Sequence, residues 1–445
     1  MRPLLTRHPG FRLLWTSATV SALGSWLLTI AVPVQVYRLT GQASATGLAL
    51  ALEAAPAVLL APWAGVLADR FDRRRLLVAA HLAAALAVLT MLLPGGTTPI
   101  YIGLLLETSV VAFLQPAIRA LTPQVVPADA DLIAATATTS VTQSVLRLAA
   151  PMLGTALLTQ GAFGHVVLLD AASYLVAAAL LARLRVRSAS PAVSGPVGLR
   201  TGLAYLARTP LLRGLAVTTW AYWTANAALT ALLIPFLAEL LGEPPQTLGL
   251  LVTGLGLGYL LGSALSGRLL PRYSTRTLLT SSYLVVGVCF LILFTAPNLP
   301  IALAAITAAG IPGAIAVTAT HYRLQAATPD AVRGRVLAAF YATDSLAALT
   351  GALLGPLVVT WTGLSGALTI FSVAVLLTTL LAAITLPGAG RRGGGCRGSR
   401  RAMRRPGTRT RERSLPAGIP PSPGSSAPPG SPDAYRPECV ARECE

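Results

Sequence analysis

Lysine is absent from this chain: its 34 basic residues are all arginine, set against only 16 Asp and Glu. Charged residues fill 11% of the 445 positions, where a soluble domain carries roughly 25%. The two or three water-soluble domains that the length would allow are therefore excluded. Cysteine is scarce and unpatterned. Cys289 lies in an apolar run, and Cys396, Cys439 and Cys444 lie in the tail without CxxC spacing, so no disulfide framework follows. The histidines His8, His81, His165 and His321 are scattered with no HExxH pair, and neither a metal nor another cofactor is expected. A Walker loop is missing, which excludes direct use of ATP. No nucleophile, base and orienting residue can be assembled, so the chain does not read as an enzyme.

What is present is apolar. Hydrophobic residues reach 54% and the mean hydropathy is +0.67. Runs such as 76–93 and 365–386 have the length of about 20 residues that a bilayer core demands of a helix. The net charge of +18 would point a soluble protein toward nucleic acid. Here the arginines cluster between apolar runs or in the tail, so the lipid bilayer is the expected partner and nucleic acid is not. The opening MRPLLTRHPGFRLLW has the basic flank of a signal sequence, but its apolar run continues to about Tyr37 without a small-residue cleavage site, which predicts a retained first span.

Breaks in the apolar pattern predict an all-α membrane protein with twelve transmembrane helices, at 15–37, 46–68, 76–93, 99–120, 138–160, 164–184, 213–240, 247–270, 277–296, 299–322, 336–361 and 365–386. One set of connections collects the arginines: Arg2 to Arg12, Arg70 to Arg75, Arg119, Arg183 to Arg213, Arg268 to Arg276, Arg323 to Arg335 and the tail. The other set contains Arg38 and little else. Positive charge is retained inside, so both termini are expected in the cytoplasm and the protein in the plasma (inner) membrane as a multi-pass chain. The longest internal connection, 185–212, carries GLRTGLAYLARTPLLRG, in which Leu199, Leu203, Leu206 and Leu211 oppose Arg200, Arg208 and Arg213 as an amphipathic surface helix.

The halves on either side of it repeat. GVLADRFDRRRLL at 65–77 realigns on GRLLPRYSTRTLL at 267–279, an offset of 267 − 65 = 202 that also pairs Gly47 with Gly249 and Pro127 with Pro329. The expected organisation is a six-helix bundle over 1–184, the linker 185–212, a second six-helix bundle over 213–386 and a disordered cytoplasmic tail over 387–445.

Gly65, Leu67, Asp69, Arg70, Arg73 and Arg74, following the second span, resemble the signature loop of the major facilitator superfamily. FLQPAIRALTPQVVPADADL, ARTPLLRGL and TPDAVRGRV are similar to its branch of enterobactin and macrolide exporters. The resemblance covers about residues 10–386 and implies the major facilitator fold and efflux of a small organic compound, usually driven by proton entry. Departures are visible. Asp72 stands where the loop often has Gly, Pro271 replaces Asp69 in the second copy, and LAAPMLGTALL keeps only Pro151 and Gly154 of the pattern expected of antiporters in the fifth span.

A carrier of this kind rocks one bundle against the other, so its loops must hold and release a state. Gly65, Asp69, Arg70, Arg73 and Arg74 are the expected conformational latch. Gly65 permits close approach and Asp69 accepts backbone N–H groups of a facing helix, near Val336 by resemblance. The arginines mark topology, and one or two of Arg70, Arg73, Arg74 and Arg75 pair with Asp129, Asp131 or Asp69.

Charge within a span costs roughly 2.5 to 3.5 kcal/mol on insertion scales, so each case asks for a reason. Glu53 and Glu107 lie at one depth, about seven residues or roughly 10 Å from the outer ends of their spans. Arg147 and Asp344 lie nearer mid-membrane and Asp170 nearer the outer surface. Low dielectric favours a neutral carboxyl and a nearby cation opposes that, so a proton can be exchanged as a cavity opens to either side. Glu107 is the first expectation for proton coupling, because the fourth span lines the cavity in the resembling family. Glu53, Asp344 and Arg147 follow, with a static Glu53–Arg147 pair as the structural alternative.

Trp220 and Trp223 are the expected substrate-cavity residues, suited to stacking on an aromatic or cationic compound. The glycines of VTGLGLGYLLGS lack the strand and the acidic partner of a dinucleotide loop and read instead as a helix-packing face. The expected protein is a monomer whose partners are a small-molecule substrate, protons and lipid. An uptake carrier of the same fold and a non-transporting receptor are its rivals.

Overall fold

The computed structural model describes residues 2–70, 72–126, 129–159, 163–184 and 199–387, and the side chains of residues 61–70 lie outside that description. Fourteen α-helices follow in order: α1 Arg2–Arg7, α2 Pro9–Thr40, α3 Ala43–Arg70, α4 Arg73–Leu89, α5 Thr98–Val125, α6 Asp129–Thr159, α7 Phe163–Ala182, α8 Leu199–Arg208, α9 Pro210–Ala231, α10 Leu233–Pro235, α11 Leu248–Leu269, α12 Thr275–Phe294, α13 Leu299–Ala326 and α14 Asp330–Thr385. No strand occurs among the described residues.

Local chemistry sets the helix ends. The Asp72 carboxylate accepts the Arg75 backbone N–H at 2.8 Å and starts α4. Ser274 and Asn298 do the same for α12 and α13, each at 3.1 Å from a backbone nitrogen. Gly41, with φ 63°, closes α2 in the left-handed region that glycine enters without strain.

Nine helices among the described residues are long and apolar enough to cross a bilayer. Pro210–Ala231 and Leu233–Leu240, bent by 43°, make ten if taken as one span. The structure differs from the expected segmentation in one place. The segment 213–240 is broken after Ala231 and finishes in a π-turn at Phe236–Leu240. Segments 336–361 and 365–386 are two helical stretches within α14, separated at Gly363, where φ 71° and ψ 172° are non-helical. That glycine sits in the uncharged TGLSG, where the break was expected, and its conformation interrupts the helix.

The helices pack through small residues. α2 lies against α6 and α7, α4 against α5 and α7, and α3 against α5. α11 lies against α13, α12 against α13 and α14, and α9 against α14. α3 with α14 and α6 with α11 join the two groups. Gly254, Gly258 and Gly262 of α11 face α13 so closely that a Cβ at any of them would collide with Thr307 or Ile311, which bears out the packing reading of VTGLGLGYLLGS. Large apolar side chains such as Leu86, Leu261, Val288 and Ile384 are exposed on the outside, as a lipid-facing surface requires. On α8 the buried positions are Gly202 and Leu206, and Gly202 abuts the Arg335 backbone of α14. Leu203, expected on the apolar face, is exposed instead. The expected tail lies outside the described residues from 388 onward, as does linker stretch 185–198.

Candidate functional site

The first polar cluster is built where α2, α3, α4, α5 and α7 converge. Glu107 of α5 is 4% exposed. The Tyr174 hydroxyl of α7 donates to Glu107 Oε1 at 2.8 Å, and Ser25 Oγ of α2 lies 2.9 Å from Tyr174 Oη. The tyrosine has one proton, so with Glu107 ionised it donates there and accepts from Ser25. Glu53 of α3 joins Glu107, Ser25, Thr29 and Thr108 around a cavity of about 120 Å³. It also lines a neighbouring one of about 340 Å³ with Trp26, Gln143 and Tyr174. The equal depth expected for Glu53 and Glu107 therefore brings them to one cavity.

Two further groups complete the cluster. Asp170, one turn before Tyr174 on α7, is fully buried; Ser173 Oγ lies 3.3 Å from its Oδ1, and Oδ2 has no hydrogen-bond partner. Gly24 of α2 packs directly on that carboxyl and leaves no room for a Cβ. His81 of α4 is 1% exposed, with Nδ1 2.7 Å from the Leu77 carbonyl, its ring edge-on to Tyr174 at 5.9 Å, and Nε2 unpartnered. In the neutral ring Nδ1–H donates to that carbonyl, and Nε2 is left as a bare acceptor. The sequence reading singled out neither Tyr174 nor His81. Tyr174 follows Asp170 at the i+4 spacing that places two side chains on one helix face, which was the available signal.

The second cavity, of about 300 Å³, lies between α9, α12, α13 and α14. Its rings are Tyr222, Trp223, Tyr283, His321 and Tyr341, and Asp344 stands among them. Tyr222 stacks on Tyr283 at 4.9 Å and meets Trp223 edge-on at 5.5 Å, while His321 meets Tyr341 edge-on at 5.6 Å. Asp344 Oδ1 is buried without a hydrogen-bond partner. Trp223 is thus where the expectation put it. Trp220, its companion in that expectation, is 39% exposed and lines no described cavity. Three helical positions rotate it off the cavity face.

Arg147 departs from the carboxylates it was grouped with. Its guanidinium lies 5.6 Å over the Trp26 ring and lines a third cavity of about 190 Å³ with Gln143, Gly256, Tyr259 and Ser263. No Glu53–Arg147 ion pair is found among the described residues; the His8 ring lies 2.9 Å from Asp131 Oδ2. Guanidinium stacking on indole satisfies the cation without a carboxylate.

Of the expected latch, Gly65, Asp69 and Arg70 fall at the end of α3, where side chains lie outside the described residues. Arg73 is buried. Arg74 donates from Nε to the Leu181 carbonyl at 3.3 Å and from Nη2 to the Ala182 carbonyl. Arg74 closes the carbonyl end of α7, where a cation meets the negative end of the helix dipole, and Asp131 is taken by His8.

A seam joins the two helix groups at the ends away from Arg70. The Tyr37 hydroxyl donates to Glu239 Oε1 at 2.9 Å, between residues 202 apart. Gly47 of α3 packs on Ala352 and Pro356 of α14, and Gly249 of α11 packs on Pro151 and Thr155 of α6. Thr155 Oγ1 donates to the Gln246 carbonyl at 3.0 Å, and Thr253 Oγ1 to the Leu148 carbonyl at 3.4 Å. The Tyr37–Glu239 bond escaped the sequence reading, although its spacing equals the repeat offset.

Known proteins share this architecture. The chain resembles, in fold, a mutant form of the nucleoside transporter NupG, at 12% identity with a TM-score of 0.71 over 85% of this chain and 100% of that one. It also resembles a POT family transporter in complex with a thioalcohol-conjugated peptide, at 10% identity and a TM-score of 0.70 over 84% and 95%. In sequence it is 25% identical to the uncharacterized MFS-type transporter YfiS of Bacillus subtilis, over 87% of this chain and 95% of that one. It is 28% identical to the enterobactin exporter EntS of Salmonella typhi, over 75% and 81%. The family described as transmembrane secretion effector matches residues 2–390. The chain belongs to that family of major facilitator transporters.

Proposed function

We propose that this protein is a secondary transporter that exports a small organic compound from the cytoplasm, driven by proton entry across the plasma membrane. The observation that carries the reading is the Ser25–Tyr174–Glu107 chain beside Glu53 at the wall of a cavity within the helices. Carboxyl groups at membrane depth without a paired arginine are costly to keep charged, and a travelling proton is what such a site exchanges. Glu107 binds the proton, Tyr174 orients its carboxyl, and Glu53 shares the site. Relatives named as enterobactin exporters support the outward direction.

The same reading takes the helices as twelve spans in two six-helix halves, over 1–184 and 213–386, with both termini cytoplasmic. Support comes from the 202-residue offset. Gly47 and Gly249 make matching contacts with α14 and α6, and Tyr37 meets Glu239 at the same spacing. The break at Gly363 divides α14 into two spans, and α5, 28 residues long, is taken as a further one. Under this topology the seam seals the outer face, and Asp69 with Arg70 and Arg73 at the opposite end is the latch that holds the other state.

The test is transport in oriented vesicles. Inside-out vesicles carrying the protein, given a proton gradient, should accumulate a labelled substrate chosen by a siderophore and macrolide susceptibility panel in a pump-deficient host. Accumulation only in right-side-out vesicles would reverse the direction, and an unchanged pH dependence in Glu107→Gln would remove the proton assignment.

A further inference from the structure

Asp344 differs from Glu107 in what surrounds it. Glu107 has a tyrosine hydroxyl as donor, whereas Asp344 Oδ1 is buried without a partner and the carboxyl has no ion pair among the described residues. Around it stand the rings of Tyr222, Trp223, Tyr283, His321 and Tyr341, enclosing about 300 Å³. That volume is at the lower end of small-ligand pockets.

Three ligand classes can be weighed against these walls. An anion would face both the carboxylate and the negative faces of the rings. A neutral polyol could use the hydroxyls of Thr219, Thr320, Ser345 and the three tyrosines, but it would bring no charge to offset the buried carboxylate. A neutral apolar compound would leave Asp344 buried and uncompensated. A weakly hydrated organic cation fits every feature, because ring faces attract it within about 6 Å of their centroids and the unpaired carboxylate supplies the opposite charge. We propose that this cavity binds a compact organic monocation of the alkylated ammonium class, its charge against Asp344 and its apolar body among Tyr222, Trp223, Tyr283 and Tyr341.

That the ligand is cargo rests on the transport reading, but its binding does not. The experiment is therefore a binding measurement on the purified full chain, by calorimetry and tryptophan fluorescence, with choline as the cation and 3,3-dimethylbutan-1-ol as its neutral isostere. Choline should bind saturably, and the isostere about tenfold more weakly or worse. Asp344→Asn should bring choline down to the level of the isostere, and Trp223→Leu should weaken choline by about tenfold. Equal binding of the two compounds, no binding of choline, or undiminished choline binding by folded Asp344→Asn would each overturn the proposal. The comparison of the two compounds on the unmutated protein decides the matter even where a variant does not fold. Export in vesicles without any preference for choline would leave the transport reading standing and remove this one; selective choline binding without export would do the reverse.

Discussion

The two cavities use aromatic side chains for opposite purposes. Around Glu107 the aromatic group that matters is a hydroxyl: Tyr174 donates to the carboxylate and accepts from Ser25, and a buried histidine closes on its edge. Around Asp344 the rings stack and meet edge-on among themselves, and the carboxylate Oδ1 has no hydrogen-bond partner among the described residues. A carboxylate satisfied by a hydrogen bond is poised for a proton, because adding one only redistributes donors along an existing chain. A bare carboxylate among π faces awaits a larger cation. The proposed division of labour between proton and substrate rests on this difference: one acid is hydrogen-bonded and the other is not.

The strongest way to break that contrast is to neutralise the first acid. Glu107→Gln should abolish concentrative export and flatten its pH dependence while leaving choline binding in the other cavity unaltered, as vesicle transport and calorimetry would record together. Loss of both activities would mean that the cavities do not divide the work.

The seam comes next. Tyr37→Phe removes a hydrogen bond to a carboxylate, worth about 1.5 to 3 kcal/mol, between the two helix groups. The closed state at that end should lose about tenfold or more of its weight relative to the open one. Cysteine accessibility at Gln42 and Gly242, in the flanking connections, should rise in step. Unchanged labelling would show that Gly47 and Gly249 hold the seam by packing alone.

Tyr174→Phe is a smaller perturbation. It keeps the ring against His81 and deletes only the hydroxyl that donates to Glu107. The expected result is a shifted pH optimum with turnover reduced by about two- to tenfold, the range set by one hydrogen bond. A variant indistinguishable from the parent would reduce Tyr174 to packing.

How far these contrasts were readable in the sequence depends on what the residues had to oppose. Helices, the glycine face of α11 and the equal depth of Glu53 and Glu107 were legible, because small-residue spacing and span position report packing and depth directly. Partnership was not. In water, polar and apolar faces distinguish a helix's outside from its inside. In lipid both sides are apolar, so the sequence does not say which way Arg147 points, and it turned to Trp26 instead of Glu53. The contacts of Arg74 were hidden for a like reason: the carbonyls of Leu181 and Ala182 are backbone groups that carry no sequence signature. The Tyr37–Glu239 bond was within reach, since its members stand at the repeat offset, but an offset between unlike residues draws no attention until the two chain ends are seen to meet.

The smallest expected effect is the sharpest control on the aromatic cavity. Trp220 and Trp223 lie three positions apart on α9, about 60° apart around the helix axis at 3.6 residues per turn. Trp223 lines the Asp344 cavity and Trp220 is 39% exposed. If ring count alone attracted the cation, removing either indole would weaken it. If the attraction comes from ring faces turned toward Asp344, Trp220→Leu should leave choline affinity within about 0.5 kcal/mol of the parent, while Trp223→Leu lowers it. Calorimetry on the two variants separates these cases, and a loss of affinity in Trp220→Leu as large as that in Trp223→Leu would place the cation elsewhere on α9.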